Sequence, residues 1–83
     1  MTTTSSGLVT MLETLVKAFV DHPDSVQASE GSRLDTLVVE LKVDPEDLGR
    51  VIGRQGRTAR ALRTLVGLAG QKTGRRIILQ ILE

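Results

Sequence analysis

Two periodicities run through the apolar residues of this 83-residue chain. Leu8, Leu12, Leu15, Val16 and Phe19 recur at helical spacing, which predicts an amphipathic helix over residues 7–20 with one buried face. Asp21, His22 and Pro23 end it, because proline cannot continue a helix and biases the preceding residue toward extended geometry. Leu37, Val39, Leu41 and Val43 alternate with Val38, Glu40 and Lys42, the period of a strand with one buried face. Ile77, Leu79 and Ile81 alternate with Ile78, Gln80 and Leu82, where only Gln80 is clearly polar. This last strand is therefore expected to be central or covered on both sides. A short strand is expected over 26–29, with Glu30, Gly31 and Ser32 as the turn after it.

Between the later strands lie two helical segments interrupted by glycine. Asp44, Pro45, Glu46 and Asp47 supply a capping side chain, a proline at the first helical position and acids at the positive end of the helix dipole. A helix should start at Pro45 and stop near Ile52, because Gly53 and Gly56 follow within four residues. A second helix should resume near Arg57. Leu62, Leu65, Val66 and Ala69 share its apolar face, and Arg57, Arg60 and Arg63 lie on roughly the opposite arc. Gly67 and Gly70 suggest close packing or fraying, and Gly74 is a natural terminator. Helix, strand, strand, helix, glycine loop, helix, strand is the order of an α+β two-layer fold with helices on one face of a three-stranded sheet.

Length allows one domain, over 7–83, behind a tail expected to be disordered over 1–6. With no cysteine, a disulfide framework, a thiol nucleophile and a cysteine-ligated zinc site are excluded. No apolar run approaches the ~18 residues of a membrane span, so no membrane partner is expected and the cytoplasm is the default location. The net charge of +1 conceals an asymmetry: residues 1–49 carry three basic and nine acidic side chains, whereas 50–83 carry eight basic ones against Glu83 alone. That distribution points to an electropositive surface able to attract an anionic partner. His22, with no second imidazole and no cysteine, reads as solvated or capping.

A bend of two glycines around two polar residues lets backbone amides approach a ligand that any Cβ would obstruct. The helix that follows begins there with unpaired N–H groups, which favour phosphate. Arg54 and Arg57 add charge, Arg50 lies one turn earlier, and Gln55 offers a neutral donor and acceptor. A plain helix–helix turn needs glycine too. The spacing of Gly49, Gly53 and Gly56 matches neither the phosphate loop of nucleotide hydrolases nor the dinucleotide fingerprint, so no enzyme, catalytic residue, cofactor or metal is expected.

In full, Val51-Ile52-Gly53-Arg54-Gln55-Gly56-Arg57 resembles the KH-domain signature, an isoleucine-glycine-x-x-glycine loop between two helices that clamps the backbone of about four nucleotides. The element order resembles the type II KH arrangement (α-β-β-α-α-β), and size and motif together resemble the bacterial single-domain KhpA family over about 8–82. The resemblance implies a site for single-stranded RNA made of Ile52, Gly53, Arg54, Gln55 and Gly56, with Arg50, Arg57 and Arg60 meeting phosphates. It implies a groove completed by the second helix and by the strand around Leu37 to Leu41. It also implies an RNA chaperone in post-transcriptional control, a homodimer, and a heterodimer with a KhpB-type KH protein linked to cell elongation and envelope growth. The alternative is a protein–protein interaction module with little RNA binding of its own. Phe19 is the sole aromatic residue, so affinity must rest on backbone contacts, aliphatic packing and base-edge hydrogen bonds rather than aromatic stacking.

Overall fold

A computed structural model describes residues 4–82, with side chains from Gly7 onward. The first helix, α1 (Thr4–Lys17), buries Leu8, Leu12 and Val16 and leaves Leu15 38% exposed. It starts before the expected residue 7, and the remainder of the expected tail, 1–3, lies outside the described residues. It ends at Lys17 in a turn in which the Ala18 and Phe19 amides donate to Leu15 and Val16. A 3₁₀ turn (Pro23–Ser25) leads into β1 (Gln27–Arg33). The expected turn at Glu30 to Ser32 is instead continuous strand: β1 pairs antiparallel with β2 (Thr36–Lys42) from Gln27↔Lys42 to Arg33↔Thr36. The chain reverses at Leu34 and Asp35, with φ of 53° at Leu34, a fully exposed side chain.

In β2, Leu37, Val39 and Leu41 are all buried, as the alternation requires. A 3₁₀ turn (Pro45–Asp47) and α2 (Leu48–Ile52) follow. The Asp44 carboxylate accepts from the Glu46 amide at 2.9 Å, so the cap and the proline act where the sequence places them. After the glycine bend, α3 (Arg57–Thr73) buries Ala59, Leu62, Val66 and Gly70. Leu65 and Ala69 fall to the side of that face, and with Gly7, Leu8 and Met11 they line a shallow apolar depression between α1 and α3. Gly70 is a close-packing position, since a Cβ there would meet the Arg75 carbonyl oxygen at 2.5 Å; Gly67 faces open space. Gly74 ends α3 in the left-handed conformation.

The last strand, β3 (Arg76–Leu82), pairs parallel with β2 and lies at an edge, not in the centre: the order is β1-β2-β3. Its apolar second face, Ile78 and Leu82, is left partly exposed on the open side of the sheet. The helices cover the other side, α1 against β1 and α3 against β3, and enclose one core built on Leu12, Val16, Val39, Leu41, Val51, Val66 and Leu79. This is the α+β architecture of a type II KH domain. Among the described residues, no helix is long and apolar enough to cross a membrane.

Candidate functional site

The bend between α2 and α3 is built from three unusual backbone conformations within four residues. Gly53 caps α2 at φ 81° and ψ 166°, a region open to glycine alone, and its amide donates to Gly49 at 2.8 Å. Gln55 (φ 58°, ψ 24°) and Gly56 (φ 74°, ψ 15°) are both left-handed. The two glycines serve different ends. A Cβ at Gly53 would collide with the Thr58 hydroxyl and lie 2.8 Å from the Thr58 amide nitrogen, whereas a Cβ at Gly56 would meet nothing within 4 Å. Gly53 is therefore fixed by packing as well as conformation. Gly56 turns the chain and leaves the space above it clear.

Arg54 and Gln55 are exposed at the tip, and Ile52 is half-buried beneath them. The Arg57 guanidinium donates to the Gln55 side-chain oxygen at 3.3 Å, so these two groups already share one side of the bend. Arg60 is exposed one turn along α3. The structure thus gathers Ile52, Gly53, Arg54, Gln55, Gly56 and Arg57 at one point, with Arg60 beside it. Arg50 is turned another way: its guanidinium reaches the Phe19 carbonyl at 3.4 Å and the Asp21 carboxylate at 3.5 Å, against the turn after α1. The strand expected to complete the groove, around Leu37 to Leu41, turns its larger apolar groups inward. Leu37, Val39 and Leu41 lie in the core, on a strand paired along both edges.

Two residues support the bend without having stood out in the sequence. Asp47 is 1% exposed, and its carboxylate accepts from the amides of Asp21 at 3.1 Å and His22 at 2.9 Å, fastening the start of α2 to the turn after α1. The surplus of acids at the helix start was its only signal, and helix-dipole complementarity already accounted for that. Thr58 occupies the space that a side chain at Gly53 would need. His22 does not cap the turn it begins; its Nε2 lies 2.8 Å from Glu46 Oε1. That hydrogen bond, aided by the charges of Asp44 and Asp47 and opposed by desolvation, raises the imidazole pKa above 6.5. His22, Asp44 and Glu46 bring three metal-binding groups together, but Glu46 is engaged with the imidazole and Asp44 with the Glu46 amide.

Comparisons with known proteins agree with this architecture. A family model described as KhpA/KhpB, KH domain matches residues 9–81. The RNA-binding protein KhpA of Aquifex aeolicus is 49% identical over 78 residues, covering 94% of this chain and 99% of the relative. The RNA-binding protein KhpA of Streptomyces coelicolor is 58% identical over 59 residues, covering 71% of this chain and 75% of the relative. Among solved structures, a GDP·AlF4-bound variant of Aquifex aeolicus Era superposes with a TM-score of 0.56 at 18% identity, over 89% of this chain and 29% of that one, a likeness of fold alone.

Proposed function

Since the chain belongs to the KhpA/KhpB KH-domain family, we propose that it is a cytoplasmic RNA-binding protein, not an enzyme, that grips a short single-stranded segment at the bend of Gly53, Arg54, Gln55 and Gly56. The observation that carries this reading is the bend itself. Gly56 leaves open space where a side chain would stand, the positive end of α3 lies at the same place, and Arg54, Arg57 and Arg60 surround it. The Gly56 and Arg57 amides already donate to the Gly53 and Arg54 carbonyls, so phosphate is attracted here by the guanidinium groups and the positive end of the α3 dipole. Arg50, tied to Phe19 and Asp21, contributes at longer range. Ile52 supplies the aliphatic floor for a base. With no aromatic platform, binding is weakly selective for sequence, as an RNA chaperone in post-transcriptional control requires.

Arg54→Asp with Gln55→Asp tests the assignment, because both side chains are exposed and the core is untouched. The folded double variant should lose most of its affinity for an oligouridylate tetramer. Three phosphate contacts in the native protein give a slope of log affinity against log salt of about −2. Unchanged affinity in the folded variant would refute the grip and favour the second reading, a protein-interaction module. One observation supports that second reading: Met11 and Leu65 are exposed in the depression between α1 and α3, and Leu15 and Leu68 are exposed elsewhere on the same two helices. A homodimer, or pairing with a KhpB-type partner in cell elongation and envelope growth, would cover apolar surface of this kind.

A further inference from the structure

The cations of the second half of the chain do not all gather at the glycine bend. Antiparallel pairing sets Arg33 opposite Thr36, and parallel pairing sets Thr36 opposite Arg76, so the three form one row across the sheet. Residues in one row project to one face, here the face that no helix covers. With strands about 4.8 Å apart, the Arg33 and Arg76 backbones stand roughly 10 Å from each other. Arg75, just before β3, donates to the Ser32 hydroxyl at 3.0 Å on the helix-covered side, in the row of Leu37, and Lys72 lies in the last turn of α3 at the same end of the molecule. Among the described residues, none of these four cations has a carboxylate within 4 Å; the ion pairs are His22–Glu46 and Arg50–Asp21, at the other end of the molecule. The 17 residues of α3 separate the two ends by about 25 Å.

Apolar surface accompanies the charge. Ile78, the next residue of β3 on the open face, is 39% exposed, and Leu34 beside Arg33 is fully exposed in a left-handed backbone that leucine disfavours. Neither exposure helps the fold. Arginine suits phosphate through its planar fork and also offers a flat face to an unstacked base, in a protein without exposed aromatics.

We propose that Arg33 and Arg76 on the open sheet face, with Arg75 and Lys72 at the same end of the molecule on the helix side, form a second RNA-binding pole that engages phosphates of a strand longer than the glycine bend alone accommodates. The pole extends the RNA-binding reading and is tested separately from it. Arg33→Gln with Arg76→Gln removes two exposed charges, and the single variants serve if the pair fails to fold. Affinity for an oligouridylate tetramer and dodecamer is measured from 50 to 200 mM salt. The tetramer should bind the variant as it binds the native protein. For the dodecamer the salt slope should become shallower by about 1.4, so that over this range the native protein loses about sevenfold more affinity than the variant. An unchanged dodecamer slope would overturn the proposal, as would an equal loss on the tetramer. Loss of oligoglutamate binding with dodecamer binding intact would also overturn it and assign the pole to acidic proteins. Dodecamer binding that survives Arg54→Asp with Gln55→Asp but fails in the sheet variant would uphold the pole while refuting the bend.

Discussion

Gly53 and Gly56 are interchangeable as letters of a motif, yet their surroundings make them unequal. Gly53→Ala must relieve both a glycine-only backbone and a collision with Thr58, and should cost about 2–4 kcal/mol. Gly56→Ala meets only the left-handed penalty of about 1–2 kcal/mol. Urea unfolding of the two variants checks the order, and equal losses would contradict this account. At His22 the expected behaviour is a pH dependence. Its folded pKa lies above 6.5 because Glu46 holds the protonated ring, so the stabilisation is complete below the unfolded pKa and disappears as pH rises through the folded one. The difference in thermal midpoint between the native protein and His22→Gln should thus be largest below about pH 6 and vanish in alkaline buffer. An NMR titration should place the imidazole above 6.5 and return it toward that value in Glu46→Gln. The glycines, the Asp44 cap and Pro45 were readable because each acts within its own few residues. The pairing of His22 with Glu46 joins positions 24 apart, and no local pattern announces it.

α2 has only five residues, too few to persist alone, and it carries one side of the bend. Its position is held from outside by the Asp47 carboxylate on the amides of Asp21 and His22 and by Arg50 on the Phe19 carbonyl. Asp47→Ala deprives two amides of their acceptor and should cost about 2–4 kcal/mol, whereas Asp47→Asn keeps one acceptor and should cost roughly half as much. Hydrogen exchange at Asp21 and His22 should accelerate in both variants; unchanged protection there would mean that other acceptors hold the turn. The end of α2 and both ends of α3 were legible because glycine acts locally, whereas the start expected at Pro45 is a 3₁₀ turn and α2 itself begins at Leu48. Strand order was not. Ile78 and Leu82 give β3 the composition of a buried strand, but pairing with β2 alone leaves it at the edge. Leu65 misled similarly, since helical phase defines an apolar arc without saying which part meets the sheet and which part meets α1.

Across the molecule, the imbalance between the two halves of the sequence does not become one positive face. The second half adds β3 at the edge of the sheet beside β2, and its cations divide between the glycine bend, the outer arc of α3 and the row at the start of β3. Mutual neutralisation is slight: among the described residues, Arg50 with Asp21 is the one ion pair that joins the halves. The sequence therefore revealed the amount of unpaired positive charge correctly, while its division into two poles depended on strand register.

The parallel pairing of β2 with β3 sets a condition on when the bend can exist. Thr36 meets Arg76 only after the 39 residues between them have been spanned, and beyond the rest of β2 that span is α2, the bend and α3. Helices left dangling from an unfinished sheet would have neither Leu79 beneath them nor a fixed angle between them. A ribosome-bound chain still lacking residues 76–82 should accordingly be blind to RNA, and the ability to hold a transcript would arrive in a single step, once β3 closes against its neighbour.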